Sequence, residues 1–315
     1  MYHLATSMGA TAGLKRLCYR VAELPFELML PSSWAERVDA ILPSFRPFEG
    51  VIGAGETPIF RFEVVESLSE ERALKGELLE EDTNDMGHLR LWRATEGFLV
   101  ETSFDPSNRL HRMWMSADFS HAQAVIDWED LRLREAVTSL IRVLYSVAVI
   151  AHRGVSMHAS TVMLDRAGYL FLGSSGTGKS THARLWGEVF GAELLNDDNP
   201  TLRLEGDEVK VYGTPWSGKT HCYKNLGVSV RGIVRLRQGA ENRFRRLNDL
   251  EAFMALLPGA SVVRQETACY ESLCDVLSEI SQQIPVGELV CRPDAEAARC
   301  CLAGLKNEKI RINNP

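Results

Sequence analysis

The chain has 315 residues, enough for two cores, and its 45% hydrophobic and 24% charged content is that of an ordinary globular protein. A net charge of −7 argues against a protein that binds nucleic acid by neutralising phosphates, while leaving room for a local basic site. Seven cysteines with no CxxC pair argue against a zinc site and a disulfide framework, and the first residues show no signal-peptide pattern, so reduced thiols in the cytoplasm are expected.

Residues 1–127 read as a β-rich N-terminal domain of unknown role. LPFELMLP, PIFRFEVVE, LRLWRAT, GFLVETSF and HRMWMSADF are short runs rich in β-branched and aromatic residues, broken by turn formers such as Gly50, Pro58 and Gly97. Residues 66–87 between them are strongly acidic and read as a solvated loop or short helix. The tryptophans and phenylalanines read as core rather than as a ligand face. Residues 128–153 read as a connecting helix, with Leu133, Val137, Leu140, Ile141 and Leu144 on one broad apolar stripe. Arg132, Arg134, Glu135 and Arg142 interrupt it, which suits a packed helix and not a membrane span.

Residues 154–310 change character, to strands mixed with a few helices. The stretch 169–190, YLFLGSSGTGKSTHARLWGEVF, is an apolar strand, a glycine-rich turn and an amphipathic helix. That context gives GxxxxGK[ST] its physical meaning. Glycines let the backbone wrap a polyphosphate, and the helix offers unpaired N–H groups and its positive dipole end. The nucleotide-binding residues are then Gly173, Ser174, Ser175, Gly176, Thr177, Gly178, Lys179, Ser180 and Thr181. Lys179 would meet the β- and γ-phosphates of ATP, and the Ser180 hydroxyl would ligate Mg²⁺.

Residues 213–220, GTPWSGKT, match the same pattern, but Pro215 removes a donor where a phosphate loop needs one and no amphipathic run follows. A loop near the first site, bringing Lys219 to substrate or phosphate, suits it better; a tight turn burying Trp216 is the plain alternative. Asn196-Asp197-Asp198-Asn199 follows an apolar run. Adjacent carboxylates at a strand end face opposite ways, so one can face a metal and the other a substrate hydroxyl, unless the four residues only cap a turn. His158 precedes the strands leading to the glycine turn, where a histidine is either a core residue or a catalytic one. In VRGIVRLR, Arg231, Arg235 and Arg237 alternate onto one strand face, either solvated or a clamp for an anionic group.

MHAS at 157–160, GSSGTGKST at 173–181 and NDDN at 196–199 stand in the order found in the catalytic domain of HPr kinase/phosphorylase, and residues 151–305 resemble that family. GTPW at 213–216, the GIV–L–QG–EN run at 232–242 and IPVGELVCRP look closest to its HPr-serine-kinase-related members. The resemblance implies an α/β, α+β mixed-sheet fold, a phosphoenolpyruvate-carboxykinase-like P-loop domain preceded by the β-rich domain. It implies Asp197 as base toward the hydroxyl, Asp198 as its metal-side neighbour and His158 as the residue that tunes the pair. Thr181 and Ser229 stand where HPr kinases carry acidic residues, so a paralogue is implied, with HPr itself not the expected acceptor.

The expected function is an ATP- and Mg²⁺-dependent kinase that phosphorylates a hydroxyl, a serine of a protein or peptide or a small molecule. Asp197, His158 and Lys179 are its catalytic residues, Ser180 and Asp198 its metal ligands, and Lys219, Arg231 and Arg235 contact substrate or phosphate. Neither nucleic acid nor membrane is an expected partner, and the oligomeric state, a homo-oligomer included, stays open. Two other readings share the P-loop: a carboxykinase of the phosphoenolpyruvate type, and a nucleotide-binding sensor without turnover.

Overall fold

The computed structural model describes residues 13–84, 87–105, 108–218 and 220–306. The chain forms two compact units, residues 13–20 with 25–144, and residues 21–24 with 145–306.

The first unit is built on an eight-stranded sheet of β1 (Leu14–Val21), β2 (Leu24–Pro31), β3 (Arg61–Val64), β4 (Leu78–Asn84), β5 (Gly87–Ala94), β6 (Gly97–Ser103), β7 (His111–Ser116) and β8 (His121–Val125), in the order β1-β2-β3-β8-β7-β6-β5-β4. Three single helical turns, α1 (Ser32–Ala35), α2 (Val38–Ile41) and α3 (Glu70–Ala73), accompany it. Alternation sorts the strands. Phe62, Phe98, Val100, Met113, Met115, Ala122 and Ala124 take one face and are buried. On the other, Glu27 is opposite Arg61, Glu63 opposite Gln123, and Glu101 opposite Arg112 and Arg90. Of the acidic segment, α3 is a turn capped by Ser69, whereas Glu80, Glu81 and Asp82 lie in the edge strand β4. Charges on an edge strand discourage pairing with another chain, so the run belongs to the sheet rather than to a loop. Trp114 is buried, with the Arg72 guanidinium 3.9 Å above its ring.

Helix α4 (Leu133–Ala148) crosses the boundary between the units, and begins five residues later than the sequence suggests. Asp130 stops it earlier: its carboxylate accepts from the Arg132 N–H at 2.9 Å and its carbonyl from the Leu133 N–H at 3.2 Å, the pattern of a helix start. The last residues, Val149–His152, tighten into a 3₁₀ turn that ends on Arg153 at φ +58°.

The second unit holds β9 (Gly154–Ser156), β10 (Ala159–Leu164), β11 (Ala167–Leu172), α5 (Lys179–Phe190), β12 (Glu193–Asp198), β13 (Thr201–Glu205), β14 (Glu208–Tyr212), β15 (Gly227–Gln238), β16 (Arg243–Arg246), α6 (Asp249–Leu256), α7 (Thr267–Gln283), β17 (Val286–Cys291) and α8 (Ala295–Lys306). The path β12-β10-β11-β15-β14-β13-β9 is extended by β17 on β15 and β16 on β17. Only β11/β15 and β15/β17 are parallel among these pairs, so the class is mixed α/β. β10 and β11 are joined by two residues, Asp165 and Arg166, at φ +52° and +62°; both positive values suit the twist of a tight hairpin. Helices α5 and α8 pack on one sheet face through Phe171, Trp186, Val234, Leu289, Ala298 and Cys301. All seven cysteines are free thiols. Among the described residues no helix is long and apolar enough to cross a membrane.

Candidate functional site

β11 runs buried to Leu172, and the chain then turns through three glycines held at positive φ: Gly173 at +151°, Gly176 at +77° and Gly178 at +105°. Side chains other than glycine adopt these values at a cost, so the loop depends on its composition. A Cβ at Gly176 or Gly178 would meet nothing within 4 Å, which leaves the inside of the loop open to a ligand. Gly178 is also the N-cap residue of α5, and no side chain caps that helix start. The Thr177 N–H donates within the loop to the Ser174 carbonyl at 3.2 Å, but the first N–H groups of α5 are donors in need of an acceptor, and an anion meets that need.

Lys179 lies back across the loop. Its ammonium donates to the Gly173 carbonyl at 2.9 Å and the Ser174 carbonyl at 3.3 Å, and approaches Nε2 of His158 at 2.8 Å. With Nε2 accepting, the ring proton sits on Nδ1, which faces a carboxylate oxygen of Asp198 at 3.2 Å. Lysine, histidine and carboxylate thus form one line from the glycine turn to the end of β12. Burial pushes the Lys179 ammonium below its ordinary pKa, and the attraction of Asp198 and Asp197 opposes that shift.

The two aspartates part company. Ser160 and Val162 share a face of β10, and Val162 packs in the α5 core. Asp197 is opposite Ser160, so it takes the α5 face; it is buried, and its Oδ1 has no hydrogen-bond partner. Asp198 takes the opposite face, where it meets His158. The turn that separates them is fixed by Asn196, which is fully buried. Its carbonyl oxygen accepts from the N–H groups of Asp198 (3.0 Å) and Asn199 (2.8 Å). Its amide nitrogen donates to Thr214 Oγ1 at 3.2 Å and the Trp216 carbonyl at 3.0 Å.

Those last bonds tie GTPWSGKT to the carboxylates. Gly218 N–H donates to the Asp197 carbonyl at 3.1 Å, and Ser217 bridges Asp198. The described residues of the segment run without helix, as a loop beside the first site, with Trp216 buried against Tyr145. Lys219 lies outside the described residues.

The arginines divide. Leu172, the last residue before the loop, pairs with Arg235, and Arg235 pairs with Glu288, to which its Nε donates at 3.1 Å. Arg231 is the extra residue of a bulge between Val230 and Gly232, near the start of β15. Seven residues separate it from Gln238 at the loop end, about 23 Å of strand. It borders a different depression with Asp207, Glu208 and Gln283, so the structure does not bring it to the glycine turn.

On the α5 side of the loop lies a cavity of about 450 Å³, bounded by Gly176–Gly178, Thr181, His182, Leu185, Leu236, Gln238, Cys291, Arg292 and Pro293. Sequence reasoning gave these residues no site role apart from the loop itself: Leu236 and Gln238 stand in the GIV–L–QG–EN run and Cys291, Arg292 and Pro293 in IPVGELVCRP only as part of the resemblance, and His182 had a position in the first helical turn as its only signal. Gln238 donates to the Gly176 carbonyl at 3.2 Å and so braces the loop. His182 is buried and accepts from the Trp186 indole N–H at 3.1 Å; burial pushes its pKa down to about 4, so the ring is neutral near pH 7. The cavity is adjacent to the loop, apolar along one wall and of a size for a nucleoside.

No family model matches the sequence, and no curated protein matches it. Part of the chain is similar to a solved structure, the Hpr(Ser) kinase/phosphatase from Coxiella burnetii, at 12% identity and a TM-score of 0.30, over 48% of this chain and 88% of that one. This likeness assigns no residue of the chain.

Proposed function

We propose that the chain is a cytoplasmic kinase that uses ATP and Mg²⁺ to phosphorylate a hydroxyl, a serine of a protein or peptide, on a phosphoenolpyruvate-carboxykinase-like scaffold. The observation that carries this reading is the line Lys179–His158–Asp198, which joins a phosphate loop to a carboxylate within 3.2 Å steps. A serine hydroxyl is a poor nucleophile until a base accepts its proton. Asp198 is the accessible carboxylate of the pair and takes that role, with His158 holding its charge and orientation. Asp197 is buried on the α5 face with an unsatisfied oxygen, and α5 begins with Lys179 and Ser180. These oxygen donors fit a hard cation such as Mg²⁺, which is held by one or two carboxylates together with substrate phosphates. Bound Mg·ATP supplies the phosphoryl group and the charge neutralisation around it. The loop amides, Lys179 and the nearby cavity bind and orient the nucleotide. This division exchanges the roles that the family resemblance gives to Asp197 and Asp198.

The test is a pair of conservative substitutions. Asp198→Asn is expected to abolish transfer, by about 10²-fold or more, while Mg·ATP still binds. Asp197→Asn is expected to weaken Mg²⁺-dependent ATP binding, measured by titration calorimetry. The reverse pattern returns the base to Asp197. Lys179→Ala is expected to lose both nucleotide affinity and transfer. Turnover with oxaloacetate as sole acceptor would replace the kinase by a carboxykinase, and ATP binding without ADP release under any acceptor by a sensor.

A further inference from the structure

The register of the second sheet sets one row of residues across five strand-to-strand steps: Asp198, Ala159, Leu172, Arg235, Glu288 and Arg245 are successive cross-strand partners. One step toward the loop end, Arg237 and Arg243 are both opposite Val290. Because partners share a sheet face, four arginines stand on the face that carries Asp198. The intervening residues of β15, Leu236 and Gln238, line the nucleoside-sized cavity on the opposite face. The arginines therefore point away from the nucleotide and lie on the side of the proton-accepting carboxylate.

Their charge is only partly met. Glu288, largely buried, takes Arg235 at 2.5 Å and is approached by Arg237 at 3.8 Å and Arg245 at 3.9 Å; Arg245 also pairs with Glu251 of α6 at 2.7 Å. Among the described residues Arg243 makes no ion pair, and its side chain is exposed. Four guanidinium groups against two carboxylates leave a net positive patch on a chain whose net charge is −7. Glu288 fixes the plane of Arg235, to which it is hydrogen-bonded through Nε and one terminal nitrogen, and only attracts Arg237 and Arg245 at longer range, so guanidinium N–H groups of the cluster remain for a second carboxylate.

We propose that Arg235, Arg237, Arg243 and Arg245 form a docking site for an acidic segment of the phosphoryl acceptor, a peptide or protein with carboxylates flanking the target hydroxyl. The acceptor side of this statement rests on the kinase reading above. The spacing is specific. Three strand steps place Arg235 about 14 Å from Asp198, and five place Arg245 about 24 Å away. An extended peptide covers about 3.3 Å per residue, so the acidic residues belong about four to seven positions from the serine.

The probe is a fluorescein-labelled peptide with a single serine and glutamates at those positions, compared with its glutamine counterpart. Fluorescence anisotropy without ATP, at low ionic strength, is expected to show the acidic peptide bound at least about tenfold tighter than the neutral one, weakening as salt is added. Arg237→Glu with Arg243→Glu is expected to remove that difference. These two side chains are exposed and neither hydrogen-bonds Glu288, and Arg237→Gln with Arg243→Gln repeats the test if charge reversal unfolds the protein. Arg231→Glu, at the far end of β15, controls for net charge and should leave the difference in place. Equal binding of the two peptides, insensitivity to the double substitution, or tighter binding of a single-stranded oligonucleotide than of the acidic peptide each overturns the docking site. The readout needs no turnover, so a protein that transfers no phosphoryl group yet prefers the acidic peptide would sink the kinase reading alone. One that phosphorylates acidic and neutral peptides equally would sink the patch alone.

Discussion

Asn196 is where single-residue chemistry decides the site. It is fully buried, and its one amide group satisfies two N–H groups of the carboxylate turn and two acceptors of the GTPW loop. Asn196→Ala takes the side-chain acceptor from the Asp198 and Asn199 N–H groups, while Thr214 Oγ1 and the Trp216 carbonyl keep their bond to each other; at about 1–2 kcal/mol each, a stability loss of about 2–4 kcal/mol is expected in urea unfolding, with activity lost as Asp197 and Asp198 lose their opposed faces. Asn196→Asp keeps the acceptor oxygens but loses the amide donor, and is expected to restore neither. His182 gives a pH signature. Its folded pKa is about 4 against an ordinary 6.5. The unfolded chain therefore takes up a proton that the fold refuses. This contribution to stability is intact above about pH 6.5, shrinks as pH falls, and is gone near pH 4, at up to about 1.4 kcal/mol per pH unit. His182→Gln is expected to flatten the pH dependence of the unfolding midpoint in that window. An unchanged slope would mean another group titrates there.

At the scale of elements, the β16–β17 edge that carries the arginines is secured by one side chain. Phe244 of β16 fits over two glycines, Gly287 of β17 and Gly304 of α8. A Cβ at Gly304 would stand 2.2 Å from the Phe244 ring and one at Gly287 2.1 Å from it. Gly304→Ala gains about 1 kcal/mol of helix propensity and meets an overpacking penalty of about 1–3 kcal/mol, so net destabilisation of about 1–2 kcal/mol is expected. Adding Phe244→Leu should recover part of it, a coupling that a double-mutant cycle in denaturant measures. The same substitution tests the docking patch indirectly, since Arg243 and Arg245 flank Phe244 on β16. Alternation along β15 is the larger lesson of this edge. One strand lines the cavity with Leu236 and Gln238 and carries Arg235 and Arg237 on the other face because its odd and even residues leave on opposite faces, and the bulge at Arg231 marks where that phase resets.

At the scale of the molecule, the second unit is not a simple C-terminal half. The turn Val21–Leu24 between β1 and β2 is part of it, and Arg203 of β13 donates to the Ala22 carbonyl at 2.7 Å while pairing with Glu205 at 2.8 Å. A fragment beginning at Tyr145 lacks that carbonyl. A hydrogen bond to a charged group is worth about 1.5–3 kcal/mol, and about 2–4 °C of melting temperature per kcal/mol follows for a unit of this size. The fragment is expected to melt several degrees below the corresponding transition of the whole chain in scanning calorimetry. Coincident transitions would show that the turn contributes nothing to the unit.

The sequence by itself determined the glycine turn between β11 and α5, because a strand, three glycines and an amphipathic helix are local facts that composition and spacing express directly. It also determined the strand-rich character of both units, since period and turn chemistry act over a few residues. It could not say which face each aspartate takes, that His158 meets Asp198, or that Gln238 and His182 border the cavity beside the loop. Nor could it separate Arg231 from Arg235, which read as one face until the bulge is seen. These depend on pairing register between strands far apart in the chain, where a shift of one residue moves every side chain to the other face. Only the tertiary structure fixes that register, through buried pairs such as Asp197 opposite Ser160 and Leu172 opposite Arg235.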